Sequence, residues 1–467
     1  MRGVTKPPLW TAFDIAAATD GEVFGAFDAN GVAFDSREIG PGDLFVALKG
    51  EATDGHRFLD KAFAGGAAGA IVSEACAGPH VRVADTTAAL DALAVASRAR
   101  MNGKVIGVTG SVGKTGTKEA LFACLDRPNP GQAHRSVKSY NNHTGVPLSL
   151  ARMPASTRYG IFEMGMNHAG ELSQLTRLVR PHVAIVTAIA PAHSAHFASE
   201  AAIADAKGEI FEGLEPGGIA IIPHDSPHRD RLIAAARPYA ARIITFGRDE
   251  AADVTLCDEH RQPGGTLCSL ILPDAELTFT VAPPGDHWVS NAMAVIAAVW
   301  AVGGDLAAAG LAFAEMPGLP GRGERSQVPV GDGEALIIDE SYNANPASMA
   351  ATIRMLGEEQ AERRVVVLGE MRELGQGAPA YHAGLLDLLQ AADVGYALLV
   401  GPEMGALANA LEGRIDFAHV PDASAAIESL AGVISPGDAI LIKGSNAIGL
   451  SRVVERLRSG ALAGGRI

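Results

Sequence analysis

The stretch VIGVTGSVGKTGTKEALFACL, residues 105–125, decides how this chain is read. Residues 105–109 are a short, largely β-branched apolar run, the composition of a buried strand. A glycine-rich turn follows at once, and residues 114–125 carry a helical pattern. Strand, glycine turn and helix in that order make a phosphate-binding loop, because amides of the turn and of the helix N-terminus point at an anion. Thr109, Gly110, Ser111, Val112, Gly113, Lys114 and Thr115 form the candidate nucleotide-binding turn. Gly110 and Gly113 let the backbone approach phosphate, Lys114 bridges the β- and γ-phosphates, and the Thr115 hydroxyl holds Mg²⁺. The strict pattern asks for glycine at position 108, where this chain has Val108, so the loop is a shortened variant. Such a loop predicts a nucleoside triphosphate and leaves kinase, motor and ligase chemistry open.

Outward from the loop, strand patterns recur at residues 160–163, 182–189, 218–223 and 242–246, with helical segments such as 201–213 between them. Alternation of this kind predicts a parallel sheet covered on both faces. Residues 254–280 alternate polar with apolar and predict an antiparallel addition. The helical pattern 287–302 ends at Gly303-Gly304, and MPGLPGRGE (316–324) is dense enough in Pro and Gly to mark a hinge or boundary. Strand patterns restart at 335–339, 364–368, 396–400, 416–420 and 439–442. The first hundred residues hold short strand-like runs at 44–48 and 70–73 and an Ala-rich helix at 87–100.

The predicted fold is α/β in three domains. A central P-loop domain with a doubly wound parallel sheet (103–315) and a C-terminal Rossmann-like α/β domain (316–467) lie behind a smaller N-terminal α/β domain (1–102). The length of 467 residues fits, at roughly 150 residues per domain.

Composition narrows the function. A net charge of -15 argues against a nucleic-acid partner, which needs a basic face. Cys76, Cys124, Cys257 and Cys268 form no CxxC pair, as expected of a reduced compartment without a thiolate metal site. The first 21 residues hold early acidic residues and no continuous apolar core, so no signal peptide is expected. No stretch reaches the ~18 apolar residues of a membrane span. A cytoplasmic enzyme is the expectation.

Nine motifs occur in order: TGSVGKTGTKE (109–119), NNHTGVP (141–147), FEMGMNHAGEL (162–172), APAHSAHF (190–197), ADAKGEIF (204–211), GDHWVSN (285–291), DESYNANPASM (339–349), LGEMRELG (368–375) and LIKGS (441–445). Together they closely resemble the Mur ligase family of peptidoglycan biosynthesis, over residues 34 to about 454. The resemblance implies an ATP-dependent carboxylate–amine ligase working through an acyl phosphate. Its substrates would be the UDP-N-acetylmuramoyl tripeptide and D-alanyl-D-alanine, and its products would include ADP and phosphate. A ligase adding the third amino acid to the muramoyl dipeptide is the alternative, with folylpolyglutamate synthase behind it. A nucleotide-binding regulator without catalysis is a further alternative, opposed by the intact Lys114, Thr115, Glu163, His193 and Lys207.

The same resemblance implies the site. Glu163, at a strand end, and His193 would join Thr115 as ligands of two Mg²⁺ ions, and Lys207 would be N-carbamylated and serve as a further ligand. Lys114, Lys207 and His193 are the implied catalytic residues; His196 has no such support. Asn291 in the GxHxxxN segment would lie near adenine, with His287 matching the same segment. Arg322 and Asp339 would reach the nucleotide across the domain cleft. Asn141, Asn142, His143 and Thr144 would contact the muramoyl peptide, Ser36 and Arg37 in FDSREIGPGDLFVALKG (34–50) the uridine nucleotide, and Asn343 and Asn345 would complete the substrate site. Lys443-Gly444-Ser445 matches the family's KGS loop, but Asn446 follows where an arginine is frequent. A monomer is expected; whether the tripeptide carries diaminopimelate or lysine is not encoded in these motifs.

Overall fold

The structure, a computed structural model, describes residues 7–50, 53–190, 197, 199–262, 264–318 and 321–460. The strand Lys104–Thr109 is exposed only at Lys104 and buried from Val105 to Thr109. It is an interior strand of a nine-stranded sheet, paired in parallel with Tyr159–Glu163 on one side and Val183–Val186 on the other. The helix Lys114–Asp126 leaves its carboxyl end and carries the chain to the edge strand Ala133–Arg135 before it returns through Tyr159–Glu163. The next strand, Val183–Val186, pairs on the opposite side, so the order reverses at Lys104–Thr109. A reversal of this kind opens a ligand crevice outside the carboxyl ends of the strands.

Beyond Val183–Val186 the sheet continues in parallel through Ile219–Pro223 and Arg242–Gly247. The alternating segment forms Val254–Gln262, Gly265–Ile271 and Glu276–Val281, antiparallel to one another, while Val254–Gln262 joins the sheet in parallel. The segment expected as one helix at 201–213 is an α-helix over Glu200–Gly208 that tightens into a 3₁₀ turn at Glu209–Gly213. Apolar side chains fill both faces of this sheet, Ile106, Val108 and Ile185 on one and Val105, Phe162 and Val186 on the other.

A six-stranded sheet holds the C-terminal part. Its parallel core runs Gly333–Glu340, Asp438–Lys443, Arg363–Gly369, Val394–Val400 and Asp416–Val420, in that spatial order. The edge strand Glu324–Val330 pairs antiparallel to Gly333–Glu340 and begins inside the stretch read from sequence as a boundary. In the N-terminal part, a five-stranded sheet is mixed: Gly31–Ala33, Asp43–Val46, Gly69–Val72 and His80–Arg82 pair in parallel, and Glu22–Phe24 closes the edge antiparallel. The helix Thr86–Arg100 covers it, started by Asp85, whose carboxylate accepts from Thr87 N and Ala88 N. No helix among the described residues is long and apolar enough to cross a membrane.

Candidate active site

The carboxyl ends of the nine-stranded and six-stranded sheets face each other across a cleft of about 570 Å³. One wall is the phosphate loop with Glu163, Asn141 and the start of the helix Asp286–Ala301. The other is built from the turns that follow three adjacent parallel strands: 341–348, 372–374 and 445–447.

Backbone sterics dictate the glycines of the loop. Gly110 has φ 153° and Gly113 φ 84°, where a side chain is strained. A Cβ on Gly110 would sit 1.9 Å from Thr187 Oγ1, and one on Gly113 would sit 2.4 Å from Asn291 Oδ1. Asn291 therefore packs on the phosphate loop itself. Lys114 folds back on the loop, donating to the Gly110 carbonyl at 2.6 Å. Burial lowers its pKa from the ordinary lysine value, opposed by the nearby Glu163.

Glu163 pairs in register with Val108, one residue before the loop, which sets its carboxylate beside the first turn of the helix Lys114–Asp126. It is buried and accepts from Thr115 Oγ1 at 2.8 Å and from Asn141 Nδ2 at 2.7 Å. Lys118 Nζ lies 3.9 Å from the same carboxylate and 3.0 Å from Glu119, and donates to the Lys138 carbonyl at 2.5 Å. Lys138 in turn pairs with Glu38 of the N-terminal part, which also accepts from the Tyr140 hydroxyl at 2.8 Å. A continuous polar chain thus links the N-terminal sheet to the phosphate loop.

Lys207, on the helix Glu200–Gly208, is 1% exposed. Burial pushes its pKa well below the ordinary lysine value, and the neighbouring Lys114 ammonium pushes the same way. Both effects disfavour the ammonium and favour the neutral amine.

Magnesium is the metal such a loop uses, and it binds through one or two carboxylates, hydroxyls, water and phosphate oxygens. The Thr115 hydroxyl and the Glu163 carboxylate, in contact and beside the loop, fit that preference. Among the described residues no group of three or more His, Cys, Asp or Glu is placed to hold a metal ion. His193 and His196 lie outside the described residues.

The remaining candidates divide. Arg322, Asn343 and Asn345 line the cleft, with the Arg322 guanidinium 4.2 Å over the Tyr342 ring. Asn345 also caps the helix Pro346–Gly357 by accepting from Ser348 N. Asp339 is buried and accepts from Gly321 N, Ser341 N and Ser341 Oγ, so its carboxylate organises the turn beside Arg322. Asn142 accepts from Thr144 N and Oγ1 and from Gly145 N, locking the start of the helix Gly145–Ala151. His143 lies outside the cleft lining. Ser36 and Arg37 sit on an N-terminal loop away from the cleft, where Arg37 pairs with Asp35 at 2.6 Å and holds that carboxyl down to about 2.

Several residues carried no individual role in the sequence reading. Lys118 was findable, since it stands four residues after Lys114 on one helix and so shares its face. Lys443 is 2% exposed at the side chain, 3.4 Å from Glu340 and donating to the Asn343 carbonyl at 2.9 Å. No spacing rule points to Glu370 and Arg372, which pair with each other but are held in place by Glu403 and Ser445, both distant in sequence.

Comparison with known proteins follows the same division. The profile of the Mur ligase family, catalytic domain, matches residues 28–105. That of the Mur ligase middle domain matches 108–299, and that of the Mur ligase, glutamate ligase domain, matches 321–446. The UDP-N-acetylmuramoyl-tripeptide–D-alanyl-D-alanine ligase of Escherichia coli (strain K12) is 36% identical, covering 94% of this chain and 96% of that protein. The ligase of the same name from Bacillus subtilis (strain 168) is 33% identical, covering 92% and 93%. A crystal structure of MurF from Acinetobacter baumannii superposes with a TM-score of 0.82 at 31% identity, covering 96% of this chain and 99% of that one. The MurF ligase of Thermotoga maritima in complex with ADP gives 0.74 at 26% identity, covering 92% and 97%.

Proposed function

This chain belongs to the Mur ligase family, and from that premise we propose that it joins D-alanyl-D-alanine to the UDP-N-acetylmuramoyl tripeptide at the expense of ATP. The observation that carries this reading is the phosphate loop facing a second sheet's carboxyl end across one cleft, in a chain that relatives of that name match nearly end to end. We take the domains as 1–102 for the uridine nucleotide, 103–315 for ATP and 316–467 for the incoming amine. Ser36 and Arg37 then serve the uridine end, and Asn141 to Thr144 serve the peptide between the two sheets.

A carboxylate resists amide formation because it is a poor electrophile. Transfer of the γ-phosphoryl group to the tripeptide carboxylate breaks the P–O bond to ADP and makes an acyl phosphate. The amine nitrogen attacks the carbonyl carbon, loses a proton, and the C–O bond to phosphate breaks. Lys114 is the cation of the loop, and it leaves the Gly110 carbonyl for phosphate oxygens when nucleotide enters. Thr115 and Glu163 would hold magnesium, with His193 and a carbamate on Lys207 as further ligands. Bound there, the metal neutralises charge between the phosphates and the attacking carboxylate. Arg322 and the Asp339 turn approach the nucleotide from the opposite wall, and closure about residues 316–324 keeps water from the acyl phosphate.

Lys207 suits carbamylation because only a neutral amine adds to carbon dioxide, forming an N–C bond and releasing a proton. Lys207→Ala is expected to be nearly inactive and partly restored by a small carboxylic acid filling the vacated space. Full activity without any added acid sinks the carbamate and makes Lys207 a packing residue. The function itself is tested by phosphate release. Turnover should require ATP, the UDP-muramoyl tripeptide and D-alanyl-D-alanine together. Release that follows a muramoyl dipeptide and a single amino acid would instead make this a third-residue ligase.

A further inference from the structure

The cleft wall built by the six-stranded sheet holds one turn that is pinned at Glu370, Met371 and Arg372. Glu370, fully buried at the end of the strand Arg363–Gly369, accepts from Glu403 N at 2.9 Å through Oε1. Its own carbonyl accepts from Ser445 N at 3.0 Å. Met371 N donates to Nε2 of the buried His382 at 2.9 Å, and Arg372 N donates to Ser445 Oγ at 2.9 Å. Glu373 then takes φ 65°, a conformation that non-glycine residues keep only where surroundings impose it. Gly401 allows the packing, since a Cβ there would sit 2.5 Å from Glu370 Oε1.

What this turn presents to the cleft is the Arg372 side chain. One guanidinium nitrogen lies 2.8 Å from Glu370 Oε2, and the side chain is 51% exposed. Among the described residues its guanidinium has no other polar partner, and the residue lines the cleft. The other cations of the lining have contacts or assignments of their own. Lys114 belongs to the phosphate loop, Arg322 stacks on Tyr342 and acts electrostatically on both Lys114 and Lys443, and Lys443 is buried against Glu340. A preset arginine fork with free donors matches the planar geometry of a carboxylate.

We propose that Arg372, aimed by Glu370, binds the terminal carboxylate of the incoming amine substrate and so selects a dipeptide that carries a free acid. This rests on the function argued above, in which the amine is D-alanyl-D-alanine. Arg372 is the binding residue; Glu370, His382 and Ser445 position it. Holding the far end of the dipeptide fixes where its amino group arrives, which serves attack on the acyl phosphate.

The test compares D-alanyl-D-alanine with its C-terminal amide, which keeps the nucleophile and removes the charge. The wild-type enzyme should prefer the acid by on the order of 10- to 100-fold in kcat/KM, the range of a hydrogen bond to a charged group. Arg372→Ala should raise KM for the acid by that factor, leave the amide unchanged, and leave KM for ATP and for the tripeptide unchanged. Arg372→Lys should keep part of the preference, and Glu370→Gln should weaken it without changing turnover of the amide. An equal loss for acid and amide in Arg372→Ala, or no loss for either, overturns the assignment. A wild-type enzyme that releases phosphate without regard to D-alanyl-D-alanine overturns the function, and this assignment with it.

Discussion

On the phosphate-loop wall the polar side chains satisfy one another: Lys114 bonds its own loop, Thr115 bonds Glu163, and Lys118 stands between Glu163 and the Lys138 carbonyl. On the facing wall, Arg372 is held by its main-chain N–H on Ser445 Oγ and by its ion pair with Glu370, and its side chain lines the cleft. The first wall must exchange internal partners for a ligand's oxygens, so its groups carry stability and chemistry at once. The second wall is set in advance and exchanges little. Substitutions should therefore separate: those on the first wall touch both fold and catalysis, those on the second chiefly recognition.

The largest effect is expected at Lys114. Lys114→Ala should lower acyl-phosphate formation by roughly 10³-fold or more, the scale of losing a charge-stabilising donor in a water-poor site. Binding of the UDP substrate, followed by calorimetry, should hardly change, because that ligand is assigned to another domain. Equal loss of both would mean that the wall cannot be separated from the rest of the fold.

Lys118 should give the next effect, and on stability. Its side chain is fully buried between two carboxylates and a carbonyl. Lys118→Met leaves Glu163 without that cation and should cost about 3 kcal/mol, read as a lowered denaturant midpoint. Restored stability in a Lys118→Met, Glu163→Gln double variant would confirm that the cost is the orphaned charge.

The difference between the walls is also a difference in what sequence could reveal. The phosphate loop is contiguous, and Glu163 follows from strand register, since a parallel neighbour must bring its end beside the loop. Strands such as Arg242–Gly247 and Asp438–Lys443 were legible within one or two residues from β-branched runs and their punctuation. The short edge strands Ala133–Arg135 and Glu324–Val330 were not, because the first has only three residues and the second starts in a Pro/Gly-rich stretch. Arg372 was quoted within a motif yet had no role. Its meaning depends on His382 and on Ser445, 73 residues later, and the second contact exists only once the strands Arg363–Gly369 and Asp438–Lys443 are adjacent.

The smallest effect compares a half-buried histidine behind the first wall with a buried one behind the second. His134, in the strand Ala133–Arg135, donates from Nε2 to the Ser149 carbonyl at 2.8 Å, and burial holds its pKa down to about 4. Above pH 6.5 it is neutral in both folded and unfolded chains and has no bearing on stability. As pH falls below 6.5, the unfolded chain takes up a proton that the folded one refuses, so stability drops until about pH 4. At pH 5 the lag is 1.5 pH units, worth about 2 kcal/mol. His134→Gln keeps an N–H donor and cannot titrate, so its stability relative to the native chain should improve by that amount between pH 7 and pH 5. An acid limb unmoved by the substitution would assign the loss to other groups. Behind the second wall His382 is also shifted down by burial, but its Nε2 accepts from Met371 N. Protonating that nitrogen would break a bond of the Arg372 turn, whereas protonated His134 could keep its own. Acid should thus weaken both walls thermodynamically, and loosen only the second.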